Sequence, residues 1–287
     1  FLSYRTVELW LGNRSFPYGA TVNNLQAEDP YAGVAPLLKL ASDWLAHSKG
    51  GNVPLELAVQ ELRWRGDWRL SIYRTFKDIQ GVSVVMPRGD WFLEAHGTVD
   101  AVFLANTAVV HGRRPATLTT TERVSALVRP FLLDQGGIHR EHKLRTLKCT
   151  KPLAAKGGRW ATRADLPRLK KYEKQIDRTQ SKLMDTSWEA LIARKELAVF
   201  TANDSLVASI RRYGPAPSFA GIADLYVVPK ARRSNIATRL TGFVVGALLA
   251  QRNAVYVFVD ESDTSTLAFY RALGFEDLET YYKASLK

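Results

Sequence analysis

Between residues 222 and 259 the chain runs through an apolar strand, a basic turn, an apolar helix and a second apolar strand, in that order. Ile222 to Val228 carries the β-branched and aromatic residues of a strand. Pro229 to Asn235 breaks it, and an apolar helix follows from about Ile236 to Ala250. Val255 to Val259 is a short uninterrupted apolar run of the buried-strand type. A strand that turns straight into a helix and then into another buried strand is a crossover. It requires a sheet layered against helices.

The flanks extend the same pattern. Upstream, Arg159 to Ala161 reads as a short strand, and Asp165 as the N-cap of a helix carrying Leu166, Leu169, Tyr172 and Ile176. A second short helix covers roughly Ser187 to Arg194. Leu197 to Thr201 and Leu206 to Ile210 form a hairpin around Asn203-Asp204, followed by a loop with Gly214, Pro215 and Pro217. Downstream, Thr264 to Leu273 is a helix and Phe275 to Tyr282 a closing strand.

A length of 287 residues favours two domains. The clearest seam is Cys149 to Gly158, where Pro, Lys and paired Gly interrupt the patterning. The expected division is an N-terminal α+β domain over 1–150, a linker over 151–158 and a C-terminal domain over 159–287. In the first half, Val34, Leu37, Leu38, Ala41, Trp44 and Leu45 recur at helical spacing, stopped by Gly50-Gly51. Strand-like runs follow at Trp68–Arg74, Val82–Met86, Trp91–Ala95 and Val99–Leu104. Thr119 and Glu122 read as a capping box before an amphipathic helix through Val124, Leu127, Val128, Phe131 and Leu132. No internal repeat stands out.

Several classes are excluded. The lone Cys149 rules out an intramolecular disulfide framework and any zinc site built from cysteines. His139 and His142 lack a third ligand nearby in sequence, so no metal is expected there. Trp64, Trp68 and Trp91 fit core packing better than a substrate wall. The longest uncharged apolar run, Leu240 to Ala250, is too short to span a bilayer, so no membrane partner is expected. A cytoplasmic location is the expectation. The chain begins at Phe1 rather than methionine, which implies a processed or trimmed terminus.

Two constellations carry chemistry. In the first, Leu225 to Thr238, a strand turns into a helix whose unpaired N–H groups and positive dipole end suit a phosphate. Arg232 and Arg233 stand at that mouth, and Ala237 leaves room for a close ligand. The same turn also fits an ordinary crossover with solvated charges. In the second, Asp263, Tyr270, Gly274 and Phe275 follow the strand ending at Asp260. A tyrosine hydroxyl can act as general acid toward a departing thiolate, although an aromatic packed between helix and sheet is the plainer alternative.

Taken together and in this order, these stretches resemble a known family. Val227, Pro229, Arg232, Asn235 and Ala237, in the form V-x-P-x-x-R-x-x-N-x-A, resemble the acyl-CoA pyrophosphate loop of the GNAT N-acetyltransferase superfamily. Tyr270, Gly274 and Phe275 are similar to its closing Y-x-x-x-G-F motif, and Ala161 to Leu169 falls where such domains open. The resemblance spans about Arg159 to Lys287 and is also to two-domain bacterial proteins of that family.

The resemblance implies a mixed α/β fold overall: a GNAT-like C-terminal half with a central mixed sheet flanked by helices, plus an N-terminal α+β half, itself a candidate degenerate GNAT-like unit. It further implies acetyl-CoA, or another acyl-CoA, as co-substrate, with one bound per chain. Tyr226, Val227 and Val228 would lie along pantetheine, and Arg232, Arg233, Ser234, Asn235, Ile236, Ala237 and Thr238 would hold the diphosphate. Acyl transfer would pass directly to an amine, with Tyr270 protonating the CoA thiolate.

Two departures stand out. Asn235 replaces a glycine, so it must accept a left-handed backbone, which Asn does best after Gly. Where some members carry a Glu base, this chain has Gly221. Asp260 and Asp224 are the nearest acids; strand alternation puts Asp224 on the face opposite Gly221, which favours Asp260 as base. Alternatives to catalysis are a scaffold that holds CoA or another anion without turnover, and a basic surface for nucleic acid.

The chain carries 40 Lys+Arg against 28 Asp+Glu, a formal charge of +12. Residues 151–213 alone hold 14 basic and 7 acidic groups, around Arg168, Lys170, Lys171, Lys174, Arg178 and Lys182. That excess is too remote from the proposed loop to serve the co-substrate. It suits an acidic acceptor or a nucleic-acid surface, or is a solvated helix face.

Overall fold

The structure, a computed structural model, describes residues 5–10, 35–47, 52–61, 69–74, 79–86, 89–110, 115–135, 137–155, 157–176, 187–213 and 219–287. The chain forms two compact units, one of Phe1–Leu144 with Thr280–Lys287 and the other of Arg145–Glu279.

The first unit contains β1 (Arg5–Trp10), α1 (Ala35–His47), α2 (Val53–Glu61), β2 (Arg69–Arg74), β3 (Ile79–Val85), β4 (Asp90–Ala95), α3 (Thr98–Val110), β5 (Thr117–Thr121) and α4 (Glu122–Asp134). Strands β1 to β4 pair antiparallel in sequence order, and β4 pairs parallel with β5 across the α3 crossover. Residues 281–285 close this sheet antiparallel to β5. One core lies between the sheet and α3 and α4, around Trp91, Leu104 and Val128. A second joins Leu38, Leu45 and Leu55 to Ile72 and Val84. Trp91 is fully buried and its indole N–H donates to Ser83 Oγ at 2.8 Å, which makes it a core residue. Trp64 and Trp68 lie outside the described residues.

Three details differ from the sequence reading. The run Val99–Leu104 is part of α3 and not a strand: Ala101, Leu104, Ala105 and Ala108 are buried at helical spacing and settle the period. The cap of α4 is Thr121, whose side chain accepts from Val124 N, while Thr119 sits in β5. His139, Arg140 and His142 lie on a strand, β6 (Ile138–Cys149), whose mixed charges hide its extended character. Among the described residues, no group of three or more His, Cys, Asp or Glu is placed to hold a metal ion.

In the second unit, β7 (Arg159–Trp160), β8 (Leu197–Ala202), β9 (Ser205–Tyr213) and β10 (Phe219–Val227) pair antiparallel, and β10 pairs parallel with β11 (Ala254–Asp260). The end of β6 lies beside β11. Asn203 and Asp204, at φ 47° and 56°, make the left-handed two-residue turn that suits a tight hairpin. Helix α7 (Ile236–Leu249) is the crossover between β10 and β11, and α8 (Thr264–Ala272) follows β11. Both cover one face through Leu240, Val244, Val257 and Tyr270. The other face is covered by α5 (Leu166–Glu173) and α6 (Trp188–Ala193) through Leu169, Tyr172 and Leu191. The last strand is β12 (Glu276–Leu286). No helix among the described residues is long and apolar enough to cross a membrane.

Candidate active site

Parallel strands β10 and β11 are in register only from Phe219 opposite Ala254 to Ile222 opposite Val257. Beyond that point both continue, β10 to Val227 and β11 to Asp260, without pairing to each other. The parting is driven from β10, where the register with β9 shifts between Ala223 and Tyr226 and Asp224 adopts φ 54°. Such a bulge bends its strand and frees it from one neighbour. A cleft of about 720 Å³ opens between the two strands. Its walls include Val257, Val259 and Tyr270 from the core on the α7 side, and Ile176 and Tyr226 from the core on the α5 side. The cleft therefore passes through the sheet.

At one end lies the turn between β10 and α7. Pro229–Ala231 make a single 3-10 turn, and the chain then enters α7 through Arg233 at φ 62° and Asn235 at φ 60°, ψ 13°. Asn235 thus takes the left-handed conformation for which glycine is the usual choice. The first amide along this stretch with a protein acceptor is that of Arg239, which donates to Asn235 O at 3.1 Å. Among the described residues, none of the amides from Arg233 to Thr238 has one. A row of free N–H groups at a positive helix end is an anion cradle.

Of the residues expected there, Tyr226, Val227, Arg232, Arg233, Asn235, Ile236, Ala237 and Thr238 line the cleft, while Val228 and Ser234 do not. Val228 is buried, and its amide pairs with Val207 O on β9. Ser234 Oγ donates to Ala231 O and braces the turn. Tyr226 contributes only its strand position. Its ring packs toward α5 beside Tyr172, its hydroxyl donates to Gln175 O at 2.7 Å, and its carbonyl accepts from Tyr172 at 2.9 Å. Arg232 folds back, donating from Nε to Val227 O at 3.1 Å with its guanidinium over the Tyr226 ring.

Tyr270 lies on the α8 wall. Gly274, at φ 91°, ends α8 and turns the chain so that Phe275 N reaches Tyr270 O and the two rings meet edge to face at 5.2 Å. The spacing Y-x-x-x-G-F is thus a helix stop that folds an aromatic back onto the tyrosine. Burial of Tyr270, and next the nearby Asp224 charge, push its hydroxyl well above the usual tyrosine range. It stays protonated at neutral pH. Asp263 caps α8 by accepting from Thr266 N at 3.0 Å, and this bond holds its carboxyl below the usual range.

Asp260 also lines the cleft, but its Oδ1 accepts from both Ser262 N at 2.9 Å and Ser262 Oγ at 2.6 Å, as the corner of the turn into α8. At Gly221 the Tyr213 ring directly across on β9 occupies the place of a side chain, since an added Cβ would stand 2.5 Å from it. Asp224 lines the cleft and binds Arg211 Nε through Oδ2 at 2.7 Å. Sequence alternation placed Asp224 opposite Gly221. Instead, Arg211 and Tyr213 share a face of β9, Tyr213 covers Gly221, and Asp224 meets Arg211. The bulge brings Asp224 onto the Gly221 face.

The basic residues Arg168, Lys170, Lys171 and Lys174 are exposed along α5, and none of them lines the cleft. Arg178 and Lys182 lie outside the described residues.

Residues 169–284 match the family model described as "Acetyltransferase (GNAT) domain". No curated protein matches the chain. Among solved structures, an acetyltransferase from the GNAT family of Colwellia psychrerythraea aligns with TM-score 0.58 at 14% identity, over 88% of this chain and 97% of that one. A GCN5-related N-acetyltransferase from Sphaerobacter thermophilus aligns with TM-score 0.59 at 16% identity, over 88% and 90%. A tandem GNAT protein from the clavulanic acid biosynthesis pathway aligns with TM-score 0.56 at 13% identity, over 99% and 98%. At these identities the likeness is one of fold, and it is the mixed α/β fold with a central sheet flanked by helices.

Proposed function

From a C-terminal half that carries an acetyltransferase (GNAT) domain, we propose that this chain is an acyl-CoA-dependent N-acyltransferase, with acetyl-CoA as donor and an amine as acceptor. One observation supports this above the rest. A single cleft has the unpartnered amides of Arg233–Thr238 at one end and the buried, protonated Tyr270 on its wall.

The residues suit the donor. The amides from Arg233 to Thr238 bind a diphosphate through hydrogen bonds that need no side chain, and Arg232 and Arg233 add charge at the same mouth. Val227 faces the cleft with its carbonyl, since that oxygen accepts from Arg232 on the side away from β9. The unpaired edge of β10 offers an amide-bearing chain the partners that β11 no longer supplies. Acetyl-CoA supplies an activated thioester, from which acyl transfer to nitrogen needs no metal and no covalent enzyme intermediate. Tyr270 holds its proton until negative charge develops on sulfur and then donates it.

The first unit repeats the order of three antiparallel strands, helix, parallel strand and helix. The carboxyl end of its parallel pair is occupied by side chains. Glu94 is buried and receives Asn52, Thr121 and Arg123, and Arg123 also caps the carbonyls of Ala95 and His96. Only His96 and Gly97 separate β4 from α3, and Asp100 Oδ2 occupies the Gly97 amide at the start of that helix. One donor site per chain is the reading this supports.

The test is the Tyr270→Phe variant. Acetyl-CoA should raise the melting temperature of wild type and variant alike, whereas thiol release with an accepted amine should fall by about a hundredfold or more in the variant. Unchanged turnover would remove Tyr270 from the mechanism. Absence of any acetyl-CoA stabilisation in wild type would remove the donor assignment.

A further inference from the structure

We propose that Asp224 is the general base of this site and that the acceptor is an amine arriving as an ammonium ion on an apolar body. The inference rests on the acyltransferase reading above and extends it to the acceptor side of the cleft.

A carboxylate in the regular part of β10 would point into one of the two cores or be covered by the neighbouring strand. The shift between Ala223 and Tyr226, with Asp224 at φ 54°, turns this side chain onto the face of Arg211 and into the cleft wall. Asn and Asp are the residues that tolerate this conformation most readily, so the backbone cost is small. Arg211 fixes the orientation through Oδ2, and both side chains are 19% exposed. Oδ1 has no hydrogen-bond partner among the described residues and is left for a ligand. Tyr270 stands close enough for the Asp224 charge to act on its hydroxyl. Acid and base candidates therefore flank one space.

The alternatives are weaker. Gly221 is sealed by Tyr213. Asp260 commits Oδ1 twice to Ser262. On the α5 side the cleft is lined by Ile176, Ser209, Asp224, Phe258 and Asp260. Two carboxylates, one of them paired with Arg211, leave this wall with one negative charge in excess, which attracts an ammonium ion, while two apolar side chains shelter an apolar body. The basic side chains of α5 lie outside it. An acidic acceptor would bring its charge against Asp224 and Asp260.

The protons balance as follows. Asp224 takes one proton from the ammonium ion and passes it to solvent. The freed nitrogen lone pair forms the C–N bond to the acyl carbon as the C–S bond breaks. Sulfur leaves as thiolate and takes the Tyr270 proton, and the second proton lost by nitrogen restores Tyr270. The products are the amide, free CoA and one released proton.

The experiment measures CoA release from acetyl-CoA, after subtraction of an enzyme-free blank, for wild type and Asp224→Asn with phenethylamine, glutamate and hydroxylamine. Hydroxylamine is weakly basic and already neutral at assay pH, so it needs no base. Calorimetry gives the acetyl-CoA affinity of each protein. The expected result is a wild type that prefers phenethylamine to glutamate. The variant should bind acetyl-CoA within about twofold of wild type, lose about a hundredfold or more with phenethylamine, and keep its hydroxylamine rate within about fivefold. Equal loss with both nucleophiles would mean a structural role, and retained phenethylamine turnover would exclude Asp224 as base. Preference for glutamate would overturn the acceptor class. A wild type that binds acetyl-CoA yet releases no CoA with any of the three would instead overturn the acyltransferase reading itself.

Discussion

Substituting Asp165 by Asn should cost the second unit about 2 kcal/mol at neutral pH and almost nothing in strong acid. Asp165 sits in the turn before α5 with its side chain only 1% exposed. Its two oxygens receive Arg159 at 2.7 and 2.6 Å, and Oδ2 also accepts from Thr162 N at 2.8 Å. The Arg159 hydrogen bonds above all, against the opposing effect of burial and with help from Thr162, pull the carboxyl from 3.8 down to about 2. At roughly 1.4 kcal/mol per pH unit, that displacement is worth about 2 kcal/mol. The sign follows from proton binding. Between about pH 4 and pH 2 the unfolded chain holds the Asp165 proton and the folded chain does not, so acid favours unfolding there. The contribution is complete above the unfolded value, fades as pH falls through the folded one, and is absent below it. Asn keeps an acceptor for Thr162 N–H but gives up the charge toward Arg159. Thermal unfolding followed by circular dichroism at a series of pH values should show the variant lower by roughly 5–10 °C at pH 7. The gap should close as pH approaches 2. A gap that is absent at pH 7, or that stays constant through the acid range, would refute the assignment of this stabilisation to the Asp165 charge.

Gly242→Ala should destabilise the second unit by about 3 kcal/mol or more in urea unfolding, since the new Cβ would lie 1.7 Å from the Ala155 carbonyl, a backbone atom that cannot rotate away. A loss below about 1 kcal/mol would mean that the Ala155 carbonyl does not press on α7. Calorimetric titration should give one acetyl-CoA per chain. Arg232→Gln should weaken that binding several-fold at low salt and much less at about 0.5 M salt, as expected for an exposed guanidinium at an anion site. A salt-independent loss would contradict the charge argument.

Much of the second unit is legible in sequence because its elements announce themselves locally. The hairpin is marked by Asn203-Asp204, the crossover by the apolar runs around the basic turn, and the helix stop at Gly274 by a residue that must take positive φ. What stays hidden is non-local or depends on register. The alternation of β10 holds only to Ala223. No rule of period two foresees that Asp224 turns left-handed and changes face. Gly221 reads as a lost base until β9 is seen to place Tyr213 over it. In the first unit, α3 is apolar on nearly every side and rich in valine at both ends, so the run Val99–Leu104 imitates a strand. Strand β6 carries a polar or charged residue at every position of its first half after Ile138 and imitates a loop. The like order of elements in the two units is invisible in sequence, because it lies in topology and not in matching residues.

Both units have a parallel pair flanked by one crossover helix, in register over four residues. They differ in what stands at the carboxyl ends of the pair. In the first unit, Arg123 binds Glu94 and the carbonyls at the end of β4, and Asp100 meets the helix start with a negative charge. An anion would find its donors taken and a carboxylate in its place. In the second unit, the amides from Arg233 to Thr238 have no protein acceptor among the described residues, and Arg233 and Asn235 lead into α7 in left-handed conformations. Building a donor site into the first unit would require a longer turn and removal of both Glu94 and Arg123 at once, because deleting Arg123 alone would leave the buried Glu94 carboxylate without its counter-ion. Neither change alone gives binding. On the function proposed above, the co-substrate preference would be carried by the short stretch of backbone from Arg233 to Thr238, and the acceptor preference by the bulge that lies just before it.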